Sequence, residues 1–159
     1  MSSEIMSLEM DVFCLLLLIR ILYQMYINRV QNDHWNYFYY TIAWACVYLF
    51  MDAIWIMNVK HFLTFSKIQS GIFNSFYFCS LAMLVCSWYV YVQKTLHSAV
   101  LKHKKILVLT FIPLIFFIGS SLLSYWTHGL FVIDQAGNYH RGKLLPFYFL
   151  ILFAYILYL

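Results

Sequence analysis

Charge, glycine and proline are scarce in this sequence of 159 residues, with 10% charged side chains, 5 Gly and 2 Pro. A soluble domain carries about 25% charged residues, and one of ~150 residues hides only ~70% of its unfolded surface. With 64% of the chain hydrophobic, a water-soluble enzyme, a nucleic-acid binder and a disordered tail all fit poorly. The few glycines form no phosphate-cradling loop, and there is no G-x-S-x-G and no carboxylate pair set for acid–base work on one helix. Hydrolase and phosphotransfer chemistry therefore lack their parts. No catalytic activity and no cofactor are expected.

Metal and disulfide signals are equally thin. Cys14, Cys46, Cys79 and Cys86 lie in apolar runs without C-x-x-C spacing, where thiols act as small hydrophobes. His34, His61, His97, His103, His128 and His140 are scattered over connections, and no two stand four apart. His128 and His140 share one side, but two ligands are too few for zinc. No Lys or Arg precedes Arg20, so the basic n-region of a signal peptide is missing and the first apolar run is expected to be a retained span.

What is abundant is apolar sequence in runs of membrane-spanning length. They predict an all-α integral membrane protein of five antiparallel transmembrane helices, over residues 8–28, 37–58, 69–93, 105–126 and 143–159. Residues 1–159 then form one domain whose partner is the lipid bilayer. Arg29, Lys94, Lys102, Lys104 and Lys105 would share the cytoplasmic side, against Lys60, Lys67, Arg141 and Lys143 opposite. By the positive-inside rule the N-terminus lies outside and the fifth helix runs inward. Trp35, Trp55, Trp88 and Trp126 stand near the boundaries, where aromatic rings meet headgroups. Leu144–Leu159 is almost wholly apolar with no polar exit, so the chain is expected to be a fragment of something longer. No internal repeat divides it into the two halves of an inverted-repeat transporter.

In the third helix Gly71, Ser75, Cys79, Ala82 and Cys86 make one stripe of small side chains, which lets neighbouring backbones approach closely. That helix is expected at the centre, with Phe73, Phe76 and Leu84 toward lipid. Pro113 is expected to kink the fourth helix. Lys102 to Lys105 makes the third connection basic, a topology signal that also suits anionic lipid.

Ionisable groups within a span are costly and mark function by default. Arg20 can snorkel to the headgroups, and Asp52 cannot do so as easily. They lie on opposite sides of the midplane, so no salt bridge between them is expected. Asn74 and Ser75 match Asp52 in depth, which predicts a polar cluster of these three in the outer half of the bundle. The plainer alternative is that they only tie helices together. Between the fourth and fifth helices, β-prone residues 129–133, the turn-forming run 134–138 and Tyr139-His140-Arg141 predict an extracellular β-hairpin over 130–142. A lone hairpin is marginal in water, so it should rest on the bundle, as a lid over Asp52 or as an inert folded loop.

These residues carry a resemblance. Asp52-Ala53-Ile54-Trp55, Asn74 and Tyr77, the basic connection, Pro113, and Phe131-Val132-Ile133-Asp134 through Asn138-Tyr139-His140-Arg141-Gly142 resemble the N-terminal multispanning input region of clostridia-type diguanylate cyclases. That region is similar to the seven-helix region of some histidine kinases. The resemblance spans nearly the whole chain and is most specific in the hairpin; Lys143 stands where a proline is expected. It implies a bacterial plasma-membrane sensor module, truncated from a seven-helix bundle, whose last helix drives a cytoplasmic cyclase making cyclic di-GMP. No cyclase domain is present in these 159 residues. The expected ligand, a small or lipidic molecule, would meet Asp52, Trp55, Asn74, Ser75, Tyr77, His128, Tyr139, His140 and Arg141; a homodimer is a further expectation. The alternatives are a small transporter or channel subunit, or a non-autonomous fragment.

Overall fold

The computed structural model describes residues 3–28, 33–59, 65–97, 104–134 and 139–157. They form helices α1 (Ser3–Asn28), α2 (Asp33–Val59), α3 (Lys67–Thr95), α4 (Lys104–Thr127) and α5 (Leu145–Leu157), with strands β1 (Phe131–Ile133) and β2 (Tyr139–Arg141) between α4 and α5. The basic run 102–103, the hairpin turn 135–138 and the last two residues of the predicted fifth helix lie outside the described residues.

Three stretches, Leu8–Ile27, Asn36–Asn58 and Lys67–Thr95, are long and apolar enough to cross a membrane. Phe111–Thr127 and Leu145–Ile156 are apolar but shorter. A helix suits lipid because its backbone groups bond within the segment. The outer faces agree: Phe13, Leu16, Leu17, Ile115, Phe116, Phe147, Leu150 and Phe153 are exposed, more apolar surface than a monomer in water carries.

Helix ends follow local chemistry. Ser66 caps α3 two residues before the apolar run begins. Its hydroxyl accepts from Gln69 N at 3.4 Å, and Gln69 Oε1 accepts from Ser66 N at 2.9 Å, a reciprocal capping box. His97 and His128 follow α3 and α4 with φ of 50° and 55°, the left-handed conformation that closes a helix. Helix α4 runs on through Pro113 as one continuous helix.

Helix α3 is central, packing against α2, α4, α5 and β1. Phe38 meets Tyr91 and Tyr48 meets Tyr77, so α2 and α3 run antiparallel. Gly71, at the start of α3, lies under the Tyr125 ring near the end of α4, so these two are also antiparallel. Phe78 with Tyr148 and Tyr89 with Tyr155 place α5 parallel to α3. Gly71, Ser75 and Ala82 are buried and Cys79 and Cys86 half-buried, with Phe76 exposed. Phe73 differs from expectation: it is half-buried and stacks on Phe65 at 4.6 Å. Leu84 is likewise half-buried.

The strands pair antiparallel in the register Phe131–Arg141, Val132–His140 and Ile133–Tyr139. The pair is fixed to the bundle from below. Buried Ser124 Oγ accepts from Leu130 N at 2.8 Å and Phe131 N at 3.1 Å. Gly142 N donates to Leu130 O and Leu144 N to Gly129 O, both at 2.9 Å. Phe131 is fully buried and stacks on Phe78.

Candidate functional site

The ends that meet at one side of the bundle are the start of α1, the end of α2, the start of α3, the end of α4 and the start of α5. The hairpin lies at this end, and so does Asp52. Asp11 lies 17 residues before the end of α1 (28 − 11) and Asp52 lies 19 after the start of α2 (52 − 33). At ~1.5 Å per residue the two reach nearly the same depth in the antiparallel pair. Their carboxyl groups are close enough to act on each other.

From the α3 side the Tyr77 hydroxyl acts on the same carboxyl of Asp52. Tyr77 Oη also shares a hydrogen bond of 3.2 Å with Tyr48 Oη of α2. Two carboxyl groups and two phenols from three helices thus form one node. Its surroundings are half-buried, a setting in which charges interact more strongly than in water.

The side chains that act directly on the Asp52 carboxyl are Asp11 and Tyr77, neither of them in the predicted cluster of Asp52 with Asn74 and Ser75. Depth was matched, but rotation was not. A helix turns about 100° per residue. Gly71 faces Tyr125 of α4, so Ser75, one turn on, is on the α4 side, whereas Tyr77 faces α2. Asn74 lies between those flanks, 3% exposed, and its Nδ2 donates to Ser70 O at 2.8 Å. Arg20 is exposed and is no partner of Asp52.

Trp55, one turn beyond Asp52, meets the Tyr139 ring edge-on at 5.9 Å. This contact joins α2 to the hairpin. Burial pushes the Tyr139 phenol up from its ordinary range, and the Arg141 charge partly opposes that shift. The remaining predicted residues do not converge there. Arg141, His140 and His128 are exposed. His140 Nε2 lies 3.4 Å from Asp134 Oδ2. His128 N donates to Ser124 O at 2.8 Å as α4 ends.

Asp11 and Tyr48 were missed by sequence reasoning. The signal for Asp11 is its distance from the first connection, which matches that of Asp52. Tyr48 carried no signal apart from standing one turn before Asp52. Among the described residues, five buried side-chain atoms have no hydrogen-bond partner: Asp11 Oδ2, Ser70 Oγ, Asn74 Oδ1, Tyr89 Oη and Gln93 Oε1. The first three belong to the hairpin end of the bundle. No three His, Cys, Asp or Glu side chains gather among the described residues. No family model, curated protein or solved structure matches the chain.

Proposed function

We propose that this chain is a membrane-embedded signal-input module. All five helices cross a bacterial plasma membrane, with the N-terminus and hairpin outside and α5 running inward. A small or lipidic ligand is read at the hairpin end, and α5 passes the response to a cytoplasmic output of diguanylate cyclase type that is not among these residues.

One observation carries this reading: the hairpin is joined both to the node and to α5. Tyr139 touches Trp55, on the helix that bears Asp52. Leu144 N and Gly142 N bond back to Gly129 and Leu130, and the Tyr148 hydroxyl donates to Phe78 O. A change at the node therefore has a short packed route into α5. Such coupling needs a two-state element biased from both ends.

The test is a fusion of residues 1–159 to a cyclase domain through α5, reading cyclic di-GMP in cells. Cysteines replacing Trp55 and Tyr139, joined by a bifunctional crosslinker, are expected to lock output at one level. Asp52→Asn, Trp55→Ala and Arg141→Ala are expected to shift it. Wild-type output from all four proteins would refute the reading.

A transport reading has one observation in its favour. Tyr89 Oη and Gln93 Oε1, one turn apart toward the other end of α3, are buried without partners. A polar path would have to join them to the node, and ion flux into proteoliposomes tests for it.

A further inference from the structure

We propose that the junction beneath the hairpin binds a primary ammonium group, with Asp52 and Asp11 as its counter-charge and Asn74 and Ser70 as fixed acceptors. The inference rests on the reading of this end as the input site and names the class of ligand.

Two carboxyl groups this close repel unless a proton or a cation stands between them. A proton would satisfy that one contact and nothing else. Asn74 is 3% exposed and Ser70 1% exposed, and each holds an oxygen with no donor. Asp11 Oδ2 is enclosed in the same condition. Leaving such an atom unpaired costs about 1–3 kcal/mol.

The two oxygens on α3 share a helix face with Tyr77 of the node. On α3, Asn74 is one turn before Tyr77 and Phe78, and helical side chains lean back toward the N-terminus. The Tyr77 ring, which reaches Asp52, thus rises to the level of Asn74. Phe78 lies beside it, stacked on Phe131 of the hairpin. At about 100° per residue, Ser70 and Asn74 stand on the face of α3 between Tyr77, which meets α2, and Phe78, which meets the hairpin.

The unmet groups are all acceptors: a carboxyl oxygen, an amide oxygen and a hydroxyl that also accepts. Their complement is a group with several donors and a positive charge. An alkylammonium has three N–H donors and no acceptor. The rings of Tyr48 and Tyr77, tilted with centroids 5.4 Å apart, and Trp55 against Tyr139 offer π faces that attract an organic cation.

The test uses the full chain in lipid nanodiscs at constant ionic strength. Its probes are methylammonium and ethylammonium chloride, against tetramethylammonium chloride, NaCl and methanol. The primary ammonium salts are expected to raise the unfolding temperature by roughly 5 °C at a hundredfold excess over Kd. Tetramethylammonium, which carries the charge without N–H donors, should give less than a fifth of that shift, and methanol none. Asp52→Asn is expected to weaken binding at least tenfold, and Ser70→Ala and Asn74→Leu several-fold each.

Equal shifts with NaCl or tetramethylammonium would overturn the proposal, as would no shift with either primary ammonium salt. If Asp52→Asn does not fold, binding of radiolabelled ethylammonium to the wild type, Ser70→Ala and Asn74→Leu decides the matter; equal binding by all three overturns it. Because the cyclase fusion reads the crosslinked hairpin without added ligand, its outcome stands apart from this one.

Discussion

At the scale of single residues, close backbone approach matters more than apolarity. A Cβ on Gly142 would lie 2.2 Å from Gly129 O and 2.5 Å from Leu130 C. Both are backbone atoms and cannot swing aside, so Gly142→Ala must part the strand from the start of α5. It is expected to cost about 2–3 kcal/mol, seen as a lower unfolding temperature in detergent. Gly119 has nothing within 4 Å of the same position. Gly119→Ala adds a better helix former to α4 and is expected to be neutral or to stabilise by up to about 1 kcal/mol. A second residue effect is alkaline. An unfolded tyrosine titrates near 10, and burial raises Tyr139 above that value. The fold thus favours the neutral phenol. This contribution is complete below pH ~10 and is lost as pH rises through the folded value. Comparing wild type with Tyr139→Phe by tyrosinate absorbance should place the Tyr139 transition above the ordinary one.

At the scale of elements, the hairpin is held by α4 as much as by its own strands. Ser124 Oγ receives two backbone N–H groups, and Ser124→Ala leaves both buried without an acceptor. The expected cost is about 1–3 kcal/mol, with faster amide exchange at Leu130 and Phe131 than at residues within α3. In the sequence Ser124 reads as part of a small, polar packing surface with Gly119, Ser120 and Ser121, and its role as acceptor for the hairpin emerges only in the fold. The strands themselves were legible, because β-prone runs flank turn-forming residues. The helices were legible too, since 3.6-residue geometry and lipid length leave few other solutions. Depth was also readable by counting from a connection, which is why Asp52 and the start of α3 were placed at one end. Rotation was not. Whether Ser75 or Tyr77 faces α2 depends on how Gly71 seats against Tyr125, a contact between two helices that neither sequence segment encodes alone. The capping box at Ser66 and Gln69 shows the same difference at a helix end: local chemistry, legible once sought, starts α3 ahead of its apolar run.

For the whole molecule, the proposed orientation follows from where cations sit, and the structure makes it testable without disturbing the core. Thr95 is exposed at the end of α3 and His140 is exposed on the hairpin. Since α3 starts at the hairpin end and crosses the bundle, these two residues mark opposite ends of it. Orientation decides between outcomes of the proposed function, because that reading requires the hairpin and the node to face outward. With the four native cysteines replaced, single cysteines at His140→Cys and Thr95→Cys report on each side. On intact cells a membrane-impermeant maleimide is expected to label the hairpin position fully. It should leave the α3 position unlabelled until the membrane is permeabilised. The reverse pattern would put the Asp11–Asp52 node at the cytoplasmic end and point α5 outward, so that α5 could not drive a cytoplasmic output. Equal labelling before permeabilisation would mean that this region does not cross a bilayer at all.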